Sequence, residues 1–388
     1  MTELAQICRV AREAEGRPEP LWLATVMRVQ GSAYRHPGAR MLFSSSQVLA
    51  GSVSGGCLEA GIVRKAPWLA RERSICIRFD GSREEEDDES PRGTGCDGIV
   101  DILLERASLQ APCAPLAVID DCLRAERRAA LATVFKSSDP RAPVSARLIL
   151  DEAGQIASTL SGPAWGTLAQ AAEQALAART GTRTVSSHGF EALLEVIEPP
   201  PHLFVFGGGP DALPLVELAT VLGYGVTVCD ASGRVAVRER FATRAELQVG
   251  SLASIASKVG TRRTPVAVVM SHHYPTDLQA LGMLLGSRAA YIGMLGPLRR
   301  TERMLNELYP EPAALKTCDR SRVRAPLGLD LGAETPAQIA LSALAEIQAV
   351  LAQASASPLS ERGSRPIHRP VSELRLPASP TLGKTGTA

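Results

Sequence analysis

The chain has 388 residues, 45% of them hydrophobic and 21% charged, and a formal net charge of +1. That length exceeds one ordinary domain and calls for two or three, each with an apolar core of its own. The neutral balance argues against nucleic acid as the main partner, which would call for a basic face, and offers nothing to an anionic membrane surface.

The first residues, MTELAQICRVAREAEG, lack a basic stretch followed by an apolar one, so they do not read as a secretory signal. No window approaches the roughly 18 uninterrupted apolar residues of a membrane-spanning helix. A cytoplasmic location is expected. Eight cysteines are scattered without CxxC or zinc-like Cys/His spacing, which predicts reduced, buried thiols. Leu4, Ile7, Cys8 and Ala11 recur at helical spacing and predict an amphipathic helix. Residues 21–29 and 40–43 read as buried strands, joined by the loop Gly31 to Gly38. The glycine-rich segment from Gly51 to Glu59 leads into a helix over 58–72. The acidic run from Glu84 to Glu89 reads as a solvated loop, and residues 99–105 as a closing strand.

The next segment repeats this one. LATV at 23–26 returns at 131–134, Ala39-Arg40 as Ala146-Arg147, and Ser54-Gly55 as Ser161-Gly162, always 107 or 108 residues apart. Another helix is expected over 165–178, and IVDILLE matches ALLEVIE at 192–198. An α/β unit duplicated over 1–110 and 113–198 is therefore expected within an N-terminal domain, 1–198. Copy two has Pro163-Ala164 where copy one has Gly56-Cys57, so any chemistry belongs to copy one.

Pro199-Pro200-Pro201 forms a stiff linker. Residues 202–352 then alternate strands and helices as in a Rossmann-like, doubly wound parallel sheet. Strands are expected over 202–207, 225–230, 247–250, 265–271 and 289–293. The last helix opens at Thr335-Pro336-Ala337-Gln338, a capping box with proline at the first helical position. The tail, 353–388, carries five prolines and few large apolar groups, and reads as disordered.

Five segments carry candidate chemistry. Gly207-Gly208-Gly209-Pro210-Asp211-Ala212 fits G-x-G-x-x-A, and Asp230 follows 23 residues after Gly207, where an acid would meet a ribose. Pro210 removes one phosphate-facing N–H, and Asp211 puts a negative charge where a pyrophosphate would sit. The glycines therefore serve either a nucleotide or the turn alone, with Asp211 capping its own helix. Gly55-Gly56-Cys57-Leu58-Glu59 exposes N–H groups ahead of a helix and presents a soft sulfur ligand. It is an anion and metal cradle, or a tight turn with a structural cysteine. Gly93 to Gly98, with Cys96, offers the same alternatives. His272, at the carboxyl end of a parallel strand, reads as a ligand or a structural histidine. Arg299 and Arg300 read as phosphate donors or a solvated helix start. There is no GxSxG, HExxH or P-loop lysine.

These segments together resemble the XdhC/CoxI family of xanthine dehydrogenase accessory proteins. The resemblance rests on GSAYRHPGARML, GSVSGGCLE, GTGCDG, FVFGGGPDA, VTVCD, SHHYPTDLQAL, AAYIGMLGPLRR and RAPLGLDLGAETPAQIALSALAEI, spread over about residues 20–352. It implies a chaperone for the molybdenum cofactor, as molybdopterin or its cytidine dinucleotide form. Its partners would be an apo molybdenum hydroxylase of xanthine dehydrogenase or aldehyde oxidoreductase type and a cysteine desulfurase, with a homodimer expected. The family's GGCLE falls on Gly55, Gly56, Cys57, Leu58 and Glu59. Its Rossmann turn usually reads GAGHVA, so Pro210 stands where a histidine is expected. The cofactor-binding candidates are Gly55, Gly56, Cys57, Glu59, Cys96, Gly207, Gly209, Asp230, His272 and Arg299, with Cys57 the candidate ligand to molybdenum. The competing expectation is an NAD(P)-dependent oxidoreductase.

Overall fold

The structure is a computed structural model, and it describes the whole chain except residues 1, 17, 32, 72, 81–97, 112, 179–180, 188, 231–234, 311–319, 363–371 and 376–388. The acidic run and Cys96 lie outside the described residues. Two compact units emerge, one built on Glu3–Glu198 and one that begins at Pro199.

The first unit contains the same arrangement twice. Copy one runs α1 (Glu3–Glu13), β1 (Trp22–Gln30), β2 (Arg40–Phe43), β3 (Val48–Gly51), α2 (Glu59–Leu69), β4 (Ile75–Asp80) and β5 (Ile99–Arg106). Copy two runs α3 (Pro115–Ala125), β6 (Ala129–Ser137), β7 (Arg147–Asp151), β8 (Ile156–Ser158), α4 (Pro163–Ala178), β9 (Arg183–Ser187) and β10 (Phe190–Ile197). The sheet orders β3-β2-β1-β5-β4 and β8-β7-β6-β10-β9 are the same order. The likeness reaches single hydrogen bonds. Gly38 N and Ser145 N donate to Val26 O and Val134 O, and both residues have positive φ, 95° and 70°.

The copies meet through equivalent residues. The pairing of β1 with β5 skips Met27, and that of β6 with β10 skips Phe135. A bulge re-aims the extra side chain, and Met27 and Phe135 pack with Leu103 and Leu193 in one buried cluster. On either side, Arg40 of copy one binds Glu195 of copy two at 2.6 and 3.0 Å, and Arg147 of copy two binds Glu105 of copy one at 2.6 Å. All four side chains are buried. The two ion pairs are reciprocal, as a duplicated unit packed on itself about a pseudo-twofold axis requires.

The second unit runs β11 (His202–Phe206), α5 (Ala212–Val221), β12 (Gly225–Cys229), α6 (Val235–Phe241), β13 (Glu246–Gln248), α7 (Leu252–Thr261), β14 (Pro265–Val269), α8 (Tyr274–Leu285), β15 (Tyr291–Met294), α9 (Leu298–Leu308), β16 (Val323–Arg324) and α10 (Pro336–Ala352). The sheet is parallel in the order β13-β12-β11-β14-β15-β16. This is the Rossmann order, and the strand direction of travel reverses between β11 and β14. Both faces are covered, which is why the strands read as unbroken apolar runs. Leu203 and Val205 face the core under α5 and α10, while Phe204 and Phe206 face the core that includes Leu281 and Met304. The capping box forms as expected: Gln338 N donates to Thr335 Oγ1 at 3.3 Å, and Thr335 N donates to Gln338 Oε1 at 2.9 Å.

The segment read as a disordered tail is partly regular. Ser372–Arg375 forms β17, parallel to β9, and Leu374 packs on the core of copy two. Composition alone hides this, because the edge of β9 supplies the backbone partners that four isolated residues lack.

Candidate functional site

In copy one, Glu59 builds the glycine–cysteine loop. Its buried carboxylate accepts from Ser54 N (2.9 Å), Val53 N (3.2 Å), Leu58 N (3.2 Å) and Ser52 Oγ (2.9 Å), and from Ser54 Oγ. Burial works against the charge, but the hydrogen bonds from Ser54 and Ser52 outweigh it and hold the carboxyl below its usual range. Glu59 is therefore the loop's organiser, with both oxygens accepting from the loop's own donors. Replacing it with glutamine is expected to cost roughly 1.5–3 kcal/mol, the worth of a charged hydrogen bond. A carboxyl depressed in the folded state contributes stability above its unfolded pKa of about 4.3, and that contribution fades as pH falls through the folded value. Acid unfolding of Glu59→Gln should accordingly lose part of the stability rise that wild type gains on the way up from strongly acidic pH.

Gly56 has φ +111° with open space around it, and Gly55 lies under the ring of Tyr34, which is 70% exposed. In copy two the equivalent Gly162 meets Arg141 where Gly55 meets Tyr34, but it has φ +70°, and in copy one the positive φ falls on Gly56. Cys57 is half-buried and sits in a turn two residues ahead of α2, not in its first turn. Burial raises the thiols of the other described cysteines, of which Cys76 and Cys113 are, like Cys57, only half-buried. Burial pushes the thiols of Cys8, Cys76 and Cys229 up to about 12 and that of Cys122 up to about 11. Among the described residues, no group of three His, Cys, Asp or Glu side chains is arranged to hold a metal.

In the second unit the glycine turn meets the loop after β14. Gly207 has φ +135°, and a Cβ there would lie 2.6 Å from Met270 O and 2.9 Å from Ser271 Cα. A Cβ on Gly208 would lie 2.8 Å from Asp230 Oδ2, which puts the Asp230 carboxylate beside the turn, and Arg240 caps Gly208 O. Asp211 does not cap α5. Its carboxylate lies over Gly209 and accepts a hydrogen bond from His272 Nε2 at 2.7 Å. His272 has φ +60°, an uncommon conformation for a histidine. Asp277, 1% exposed, holds the loop there through Ser271 N (3.3 Å), Ser271 Oγ (2.5 Å) and Arg300 Nη2 (2.7 Å). Arg300 is the arginine that turns inward, whereas Arg299 is exposed. Asp211 and His272 form the polar rim of a cavity of about 150 Å³, otherwise lined by apolar side chains that include Leu215, Met270, Leu327 and Ile339. An apolar cavity of that size holds about one six-membered ring.

The sequence brought Gly207, Gly209, Asp230 and His272 to one crevice, and Gly55, Gly56, Cys57 and Glu59 to one loop. It did not single out Tyr34, Arg240 or Asp277. Asp277 had a signal, an acid in the first turn of an otherwise apolar helix, but its partner Ser271 comes from the preceding loop.

Comparison with known proteins agrees with this architecture. The XdhC Rossmann domain matches residues 203–347. The XdhC and CoxI family matches 14–80 and 122–186, one stretch in each copy. A probable xanthine dehydrogenase subunit from Bacillus subtilis is 31% identical over 333 residues, covering 84% of this chain and 91% of that protein. The uncharacterized protein YqeB of Escherichia coli is 28% identical over 148 residues, 38% of this chain and 27% of that one. The crystal structure of a xanthine dehydrogenase from Bacillus halodurans superposes with a TM-score of 0.70 at 26% identity, covering 93% of this chain and 99% of that one. The chain belongs to the XdhC and CoxI family.

Proposed function

We propose that this protein carries the molybdenum cofactor as cargo, keeps it in a form that a cysteine desulfurase can act on, and delivers it to an apo-hydroxylase of the xanthine dehydrogenase or aldehyde oxidoreductase type in the cytoplasm. It works as an accessory protein and not as an enzyme, and its working form is a homodimer. One observation carries the reading. Cys57 is a partly accessible thiol on a loop whose shape is fixed by Glu59, next to Gly56, which leaves space open. A resident metal needs three or four protein ligands. A metal that arrives already chelated by its own dithiolene needs at most one soft contact, and a thiolate supplies it. Gly56, with nothing within 4 Å of the position of a Cβ, leaves room for an approaching phosphate.

An NAD(P) oxidoreductase is disfavoured by Pro210, which has no N–H to give, and by Asp211, whose carboxylate lies over Gly209 where a pyrophosphate would approach. To test the reading, the protein is co-expressed with active cofactor synthesis and assayed for bound molybdenum and pterin. Cys57→Ser is expected to lower retained molybdenum about tenfold or more while the thermal unfolding midpoint stays put. Equal molybdenum in both proteins would remove Cys57 from the mechanism. Micromolar NADH binding with turnover would replace the chaperone reading altogether.

A further inference from the structure

α2 has an outward face that the fold leaves exposed. Its inner side, Ile62, Val63 and Ala66, is buried in the core of copy one. Its outer side presents Arg64, Lys65, Trp68 and Leu69, with Arg71 and Arg73 just beyond, all exposed. Trp68 is 87% exposed, whereas Trp22 is 3% and Trp165 is 40% exposed. A tryptophan left in water forgoes more apolar burial than almost any other side chain would. From residue 60 to residue 73 the sequence has four cations and one acid, Glu72. Local charge of that sign is not the molecule's general character, since the net charge is +1.

We propose that this face of α2 is a docking surface for a protein partner that presents carboxylates around an apolar pocket, with Trp68 as the buried anchor and Arg64, Lys65, Arg71 and Arg73 as the charged rim. Tryptophan and arginine dominate the energetics of protein interfaces, with an aromatic centre and a polar, steering periphery. A nucleic acid would call for several stacking aromatics along a basic groove, and this face has one aromatic beside an aliphatic Leu69. The helix is about 16 Å long, and its N-terminal end is the Cys57 loop, so a docked partner would lie within reach of that thiol. The surface stands on exposure and charge alone and does not depend on what cargo the protein carries.

The test uses the full chain and fluorescein-labelled poly-L-glutamate, followed by anisotropy. Saturable binding is expected, with quenching of tryptophan emission. The Arg64→Glu/Lys65→Glu variant should abolish it, and raising salt should weaken it as screening shortens the range of charge to about 10 Å or less. Trp68→Ala should weaken binding about tenfold, at the scale of an interface hot spot, with unchanged thermal stability because the side chain packs on little. The proposal fails if charge reversal leaves poly-L-glutamate binding intact. It fails if a DNA duplex binds more tightly than poly-L-glutamate through the same residues. It also fails if sedimentation shows that Trp68→Ala turns a dimer into a monomer, which would assign the face to self-association.

Discussion

Replacing Arg40 with methionine is expected to destabilise the first unit by about 3–5 kcal/mol, the cost of stranding a buried charge. Arg40 is 2% exposed and Glu195 7%, and the two share a bidentate contact at 2.6 and 3.0 Å. With the guanidinium gone, the Glu195 carboxylate, 7% exposed, loses its counter-charge. The double variant Arg40→Met/Glu195→Met should recover most of the loss, because two apolar side chains of similar volume replace the pair without leaving a charge behind. Duplication adds a second check. Arg147→Met strands Glu105 in the equivalent place, so its cost should match that of Arg40→Met to within about 1 kcal/mol. The readout is convenient, since all three tryptophans, Trp22, Trp68 and Trp165, belong to the first unit. Urea unfolding followed by tryptophan emission therefore reports that unit. A loss below about 1 kcal/mol for both single variants would mean that the ion pairs do not hold the copies together.

Gly207→Ala is expected to cost on the order of 4 kcal/mol in the second unit. Two effects add: φ of +135° strains any residue with a Cβ, and the new methyl would sit 2.6 Å from Met270 O and 2.8 Å from Met270 C. Those atoms are backbone at the end of a central strand and cannot rotate away. The loop that carries His272 must move instead, so the Asp211–His272 hydrogen bond should be lost with it. Gly56→Ala is the control. Its φ is +111° but nothing lies within 4 Å, so only backbone strain remains, about 1–2 kcal/mol. Far-UV circular dichroism resolves the second unit, whose unfolding tryptophan emission does not see. Equal costs for the two alanines would show that close approach of the strands plays no part at Gly207.

Much of this was legible from residues alone. The Rossmann-like unit announced itself because a doubly covered parallel strand must be apolar throughout, and because the tight turn after β11 requires glycine. The duplication was legible because an arginine, a positive-φ turn and a serine–glycine corner recur at one spacing. Five short strands, β3, β4, β8, β9 and β16, and the helix α3 were not. Their residues are half-exposed or few, and their hydrogen-bond partners lie on neighbouring strands, so local pattern carries little of the signal. The same is true of β17, which exists only because β9 offers it an edge.

What the sequence determined by itself was the set of chemically able residues and the two folds that carry them, since both follow from local periodicity and from the needs of tight turns. Tertiary structure decided which of those residues are committed and which are left free to act. It gave Glu59 to the loop's own amides, Asp211 to His272 and not to its helix, and Arg300 rather than Arg299 to Asp277. The physical reason is that a polar side chain goes to whichever partner burial brings within about 3 Å, and those partners come from segments distant in the chain or folded back on it.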